Sequence, residues 1–222
     1  MPPRFITFEG LDGSGKSTHA ARLARQLEAS GLPFELTHEP GGTTLGEGIR
    51  RLFLEAGEHP LDGGVEVLLV FASRRQHLAE VIEPALAAGR HVLCDRFTDS
   101  TFAYQGFGRG IALDLIERVD EIATGRRRPD RTILFDLEPA EAHQRSQSKR
   151  RRRKGAVNRL DREDIEFYRR VRRGYLERAR LEPDRFRVIH SGAGAEETAR
   201  QVVSALADLL PLVVEEAGAG RS

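Results

Sequence analysis

Short apolar runs alternate along this chain with segments of helical spacing. The run RFITF (4–8) stops at Glu9 and Gly10 and predicts a buried strand. Over 16–29, Ala20, Leu23, Ala24 and Leu27 recur three and four apart, which places them on one helix face. Gly31 and Pro33 end that helix, and PFELTH (33–38) predicts the second strand. A helix over 44–56 follows, then a longer apolar one over 65–88 that Pro84 interrupts. HVLCD (91–95), RTILFDL (131–137) and FRVIH (186–190) supply three more strands. Helical spacing recurs at 112–124, 139–149, 161–181 and 194–210. Continuous apolar strands separated by helices predict an α/β fold, with a five-stranded parallel sheet flanked by helices on both faces. Such sheets bind ligands beyond the carboxyl ends of their strands, where Gly10, Pro40 and Asp95 fall.

A length of 222 residues suits one core, read here as a single domain over 1–213 with a disordered tail at 214–222. No apolar run approaches the roughly 20 residues of a membrane span, and MPPRFITFEG has no signal-peptide core. A single cysteine, Cys94, excludes an internal disulfide, fits a reducing cytoplasm and reads as a buried strand residue without chemistry. The seven histidines show no metal-ligand spacing. The 35 basic and 34 acidic residues nearly cancel, so no global field attracts nucleic acid. Charge is local instead, in KRRRRK (149–154) and RRR (126–128), and either block by itself reads as a solvated loop.

One motif carries a specific chemistry. Gly10-Leu11-Asp12-Gly13-Ser14-Gly15-Lys16-Ser17 matches the phosphate loop G-x-x-x-x-G-K-[ST] in full, with a strand before it and a helix beginning within it. Its glycines let backbone N–H groups curl around a phosphate at the positive end of the helix. Lys16, one of only three lysines, would reach the β- and γ-phosphates, and the Ser17 hydroxyl would ligate magnesium. Gly10 to Thr18 therefore form the expected ATP-binding stretch of a P-loop NTPase fold.

Four further segments carry a resemblance: HEPGGTTLGEGIR (38–50), FASRRQHL (71–78), DRFTDSTFAYQGFGRG (95–110) and NRLDREDIEFYRRVRRGYLE (158–177). With the phosphate loop they span Phe5 to about His190, and the chain resembles the bacterial thymidylate kinases, a nucleoside monophosphate kinase-like group. The resemblance implies transfer of the γ-phosphate of ATP to dTMP with Mg2+, and a homodimer packed partly through the apolar helix at 65–88. It implies that Arg96 and Arg50 clamp the acceptor phosphate. Asp95 would organise the metal through water, and Asp12 would lie near the acceptor sugar and the metal. Glu39, before Pro40, is placed near that sugar or metal.

For the base, the resemblance puts an apolar plate at Phe71 and an O4 donor at Arg74. Thr101 and Gln105 would bond the pyrimidine edge, and Tyr104 would crowd the ribose 2′ position. Seen without the resemblance, Phe71 and Tyr104 read as core aromatics. The family carries its lid at about 146–160. Gly13 stands where another branch has a catalytic arginine, so the lid would supply that cation. Arg159 is the best match, with Arg150 to Arg153 as alternatives. Arg145 would stack on adenine, with the 191–195 loop on the other side.

Two rivals remain open at this point. One is a phosphate-loop kinase for another acceptor, such as dUMP, dGMP or a deoxynucleoside. The other is a nucleotide switch or nucleic-acid binder gripping phosphates with KRRRRK, against which the near-zero net charge argues.

Overall fold

The computed structural model describes residues 2–55, 61–153 and 158–212. Its five strands are β1 (Phe5–Gly10), β2 (Phe34–His38), β3 (His91–Asp95), β4 (Arg131–Asp136) and β5 (Phe186–His190). All pair in parallel, in the order β2-β3-β1-β4-β5. The register sets His38 and Phe8 beside Asp95, and Gly10 beside Phe135. The carboxyl ends of the three strands that carry the motifs therefore meet along one edge.

Helix α1 (Lys16–Ala29) and α9 (Ala195–Leu206) cover one face, where Leu23, Leu27, Val202 and Leu206 pack on Ile6, Phe8, Ile133, Phe135 and Ile189. The other face carries α2 (Thr44–Leu54), α3 (Gly63–His77), α6 (Leu113–Thr124) and α8 (Ile165–Leu181). Val67, Ile116, Phe167, Val171 and Tyr175 fill the space beneath them. Full burial of each such side chain contributes about 1.5–3 kcal/mol.

The long helix expected over 65–88 starts at Gly63, with Asp62 accepting from the N–H groups of Gly64 and Val65. It widens to π geometry over Leu78–Ile82 and ends as α4 (Glu83–Ala87). Pro84 lacks an N–H for the ladder and its ring crowds the preceding turn, so the helix widens just upstream. The structure also has a helix that periodicity did not predict. A single turn, α5 (Thr98–Thr101), runs into a π segment over Phe102–Gly108. Gly106 and Gly108 lower its helix propensity, but Cβ atoms there would press on Leu113 and Phe167, so close packing selects glycine.

Helix α7 (Pro139–Arg153) runs four residues past its expected end and into the arginine run. Arginine is a good helix former, so charge alone does not make that run a loop. Of the lid expected over 146–160, residues 154–157 lie outside the described residues, as does the tail at 214–222. The last helices are shorter than expected. A 3₁₀ turn at Leu160–Arg162 precedes α8, and α9 stops at Leu206.

Candidate active site

The phosphate loop has the backbone its sequence predicts. Gly10, Gly13 and Gly15 hold φ values of +136°, +91° and +99°. A Cβ at Gly10 would sit 2.5 Å from the Phe135 carbonyl oxygen, and one at Gly13 would collide with that of Ala142. Gly15 caps α1 without a side-chain hydrogen bond. Lys16 is buried; its Nζ donates to the Leu11 carbonyl at 2.9 Å and lies 3.7 Å from Asp12. Burial and the nearby Arg96 cation push its pKa down to about 8. Ser17 donates to Asp95 across the end of β3. A hydroxyl and a carboxylate are the hard oxygen donors that magnesium takes, so this pair fits the metal role expected of it.

Arg96 follows at once, with φ of +75°, a conformation uncommon for any residue with a side chain. Its guanidinium donates to Asp12 at 2.8 Å, Tyr175 at 2.8 Å, Ser100 at 3.0 Å and Tyr104 at 3.2 Å. Burial alone would raise the Asp12 pKa, but the Arg96 and Lys16 cations outweigh it and hold the carboxyl below the usual range. Beneath this group lies Glu9, fully buried, which accepts from the Phe97 N–H at 2.8 Å, Ser100 at 2.6 Å and Tyr175 at 3.0 Å. Burial and the negative charge of Asp99 raise its pKa to about 7.

A cavity of about 960 Å³ runs from this loop toward α2 and α3. Arg50 lines it and donates to the Pro40 carbonyl at 2.9 Å, next to the cis Glu39–Pro40 peptide. Glu39, Arg74, Thr101, Tyr104 and Gln105 line it too. Arg74 is locked on two sides, donating to Glu39 at 2.6 Å and Thr101 at 3.1 Å. Among the described residues, Glu39, His77 and Cys94 come close enough together to suggest a metal cluster. However, His77 bonds Glu39 and Thr37 through its two ring nitrogens, and the Arg74 cation already sits on Glu39. Glu39 is thus an anchor for Arg74.

The structure corrects the base plate. Phe71 is buried under the Arg74 guanidinium, 4.7 Å from its ring, and does not line the cavity. Val70 lines it instead, with Phe53, Leu54 and Leu160. The cause is helical phase. Residues four apart share a face, so Val70 goes with Arg74, and Phe71 is turned about 100° away.

Arg159 also departs from expectation and does not line the cavity. It pairs with the fully buried Glu66, donates to the Phe53 carbonyl at 3.1 Å and stacks 4.8 Å above the Phe53 ring. Among the described side chains of the arginine run, Lys149 and Arg152 line the cavity; those of Arg150 and Arg153 lie outside the described ones. Arg145 donates to the Ser191 carbonyl at 3.1 Å, and both residues line the cavity. Gly10 and Leu11 shape the loop from behind, whereas residues 12–18 line the cavity. The second basic block is neutralised locally, with Arg126, Arg127 and Arg128 paired to Glu121, Glu83 and Asp120 at 2.8, 2.6 and 2.8 Å.

The buried carboxylates Glu9 and Glu66 were not among the residues expected at the site. Glu9 did carry a signal, as a charge ending an otherwise apolar strand. Glu66, in the apolar helix run, carried a similar one. Tyr175 and Phe53 gave none, being ordinary aromatics in amphipathic helices.

Several known proteins are similar to this chain. A family model described as thymidylate kinase matches residues 8–202. The chain is 47% identical over 215 residues to a thymidylate kinase of Pseudomonas syringae pv. syringae, covering 97% of this chain and 98% of that one. It is 46% identical over 208 residues to one from Geobacter sulfurreducens, covering 93% and 98%. A crystal structure of thymidylate kinase from Ehrlichia chaffeensis superposes with a TM-score of 0.74 at 35% identity, covering 93% of this chain and 99% of that one. The chain therefore belongs to the thymidylate kinase family.

Proposed function

We propose that this chain transfers the γ-phosphoryl group of ATP to the 5′-phosphate of dTMP, giving dTDP and ADP in the supply of dTTP. The observation that carries the reading is the joining of two cation sites in a cavity, Lys16 on the loop and Arg96 with Arg50 facing it. Phosphoryl transfer needs little covalent help from protein, so its barrier falls by alignment and by cations around the moving group. Lys16 would hold the donor phosphates, while Arg96 and Arg50 would hold the acceptor phosphate. Asp12 keeps Arg96 aimed until dTMP arrives and lies where the acceptor sugar would pass.

Ser17 and Asp95 would hold Mg2+, Asp95 through water, and the ion would neutralise charge on the donor phosphates. Arg145 and Ser191 would flank adenine. Of the lid arginines whose side chains are described, Arg152 is best placed to supply the cation assigned above to Arg159, because it already faces the cavity. Arg74, Thr101 and Gln105 would read the base, with Val70, Phe53 and Leu54 as its apolar walls and Tyr104 beside the sugar.

A homodimer is part of the proposal. Leu45 and Leu52 on α2, Val65 and Leu68 on α3, and Leu115 and Ile122 on α6 are exposed apolar residues that a second copy would cover. Sedimentation at micromolar concentration tests it, and a monomer there would count against it. No described helix is long and apolar enough to cross a membrane, and residence in the cytoplasm is proposed with the activity.

The first test is ADP release from ATP and magnesium with dTMP, dUMP, dGMP, AMP or thymidine as acceptor. Release greatest with dTMP supports the kinase and its base pocket together. Release greatest with another acceptor keeps the phosphate loop but rejects the roles of Arg74 and Gln105.

A further inference from the structure

Gln105 sits on the π segment Phe102–Gly108 with its side chain against α3, and its amide is not free to turn. The amide nitrogen donates to Glu66 Oε2 at 2.8 Å. Glu66 is fully buried, and its Oε1 accepts from Arg109 at 3.0 Å and from Arg159. A carboxylate held by two guanidinium groups can only accept hydrogen bonds. The Gln105 nitrogen, a donor, must therefore face Glu66, because the flipped amide would set two oxygens against each other in a buried site. Among the described residues, no hydrogen bond ends on the Gln105 amide oxygen.

Because Gln105 also lines the cavity, we propose, on the reading of Gln105 as a base contact, that Glu66 is a specificity-determining positioning residue. By holding the amide nitrogen it makes Gln105 present an acceptor to the base. An acceptor matches a pyrimidine whose N3 carries a proton, as in thymine and uracil. Cytosine has a lone pair at N3, so oxygen would meet lone pair. Arg74 has a parallel construction, since buried Glu39 accepts from its Nε at 2.6 Å. Its guanidinium offers only donors, which suit the thymine O4 and oppose the cytosine amino group. Arg74 and Gln105, two of the three side chains proposed to read the base, are thus each held by a buried carboxylate. Arg159 draws on the same Glu66, so the chain just after the arginine run is tied to the base-reading amide.

The test compares kcat/KM for dTMP and dCMP in the wild type, Glu66→Gln and Gln105→Leu. A glutamine at 66 can donate as well as accept, so the Gln105 amide becomes free to flip. The preference for dTMP over dCMP should fall by about tenfold or more in Glu66→Gln, the worth of roughly one hydrogen bond to a buried group, with the KM for ATP near wild type. A purely structural role would lower stability and leave the ratio unmoved. Should Gln105→Leu lower the ratio while Glu66→Gln leaves it intact, the positioning role is overturned. If Gln105→Leu itself changes nothing, the base-contact reading fails first. Nitrogen-edited NMR of the wild type gives an answer that needs no variant to fold. The Gln105 side-chain amide protons should be slow to exchange without nucleotide, and rapid exchange would also overturn the proposal.

Discussion

Arg96 at the end of β3 reaches Asp12 of the phosphate loop, with 2.8 Å between Nη2 and Oδ1. One side chain thereby joins the strand edge expected to bind the acceptor to the loop expected to bind the donor. Tyr175, Ser100 and Tyr104 hold the rest of the guanidinium, so it is aimed in advance. Arg96→Ala is expected to raise the KM for dTMP roughly 10- to 100-fold, the worth of a charged hydrogen bond to phosphate. Steady-state kinetics with varied dTMP decide it, and wild-type KM and kcat together would reject the acceptor-site assignment.

Lys16→Ala should act on turnover. A cation aimed at the transferring phosphate matters most as charge moves, so kcat should fall on the order of 10²- to 10³-fold. Thermal unfolding should show the fold intact, because Lys16 contributes no core packing. A loss below about threefold in kcat would remove Lys16 from the reaction.

Glu9 predicts a pH signature. Its pKa is raised in the fold to about 7, from the ordinary 4.5, by burial and by Asp99. The folded state therefore holds the proton more tightly than the unfolded chain does. The stability from this group is fully present below the unfolded pKa and is lost as pH rises through about 7. Glu9→Gln cannot ionise, so its melting temperature relative to wild type should improve as pH rises from about 5 to 8. A constant difference across that range would show that Glu9 is already ionised at the acid end.

The helical phase of α3 puts Val70 on the cavity wall and buries Phe71 away from it. Phe71→Leu should cost about 1–2 kcal/mol of stability through a small cavity and leave the KM for dTMP within about threefold. Val70→Phe should change the KM for dTMP more than stability, because the larger ring enters the base pocket. The reverse pattern in paired melting and kinetic measurements would restore Phe71 as the plate.

The arginines near the lid can be divided in the same way. Arg152→Ala is expected to lower kcat more than it alters the KM for dTMP, as removal of a cation engaged mainly in the transition state does. Arg159→Ala should instead lower stability and weaken dTMP discrimination through Glu66. If turnover falls chiefly in Arg159→Ala, Arg159 must leave Glu66 during the cycle to act on phosphate.

What the sequence determines by itself is whatever depends on neighbours along the chain. The phosphate loop is legible because Gly10, Gly13 and Gly15 adopt conformations that side chains disfavour, and Lys16 and Ser17 follow within one helical turn. The strands are legible because a doubly covered sheet demands unbroken apolar runs, and their common edge follows from parallel order. Tertiary structure decided what depends on partners remote in sequence. Which side of α3 faces the cavity was set by packing, and a single residue of phase exchanged Phe71 for Val70. Arg159 went to Glu66, 93 residues earlier in the chain, because a buried carboxylate requires cations and donors around it. Glu9, Glu39 and Glu66 look alike in the sequence as single acidic residues, yet each orients a different group at the site. Only the fold brings Tyr175, Arg74 and Gln105 within hydrogen-bond reach of them.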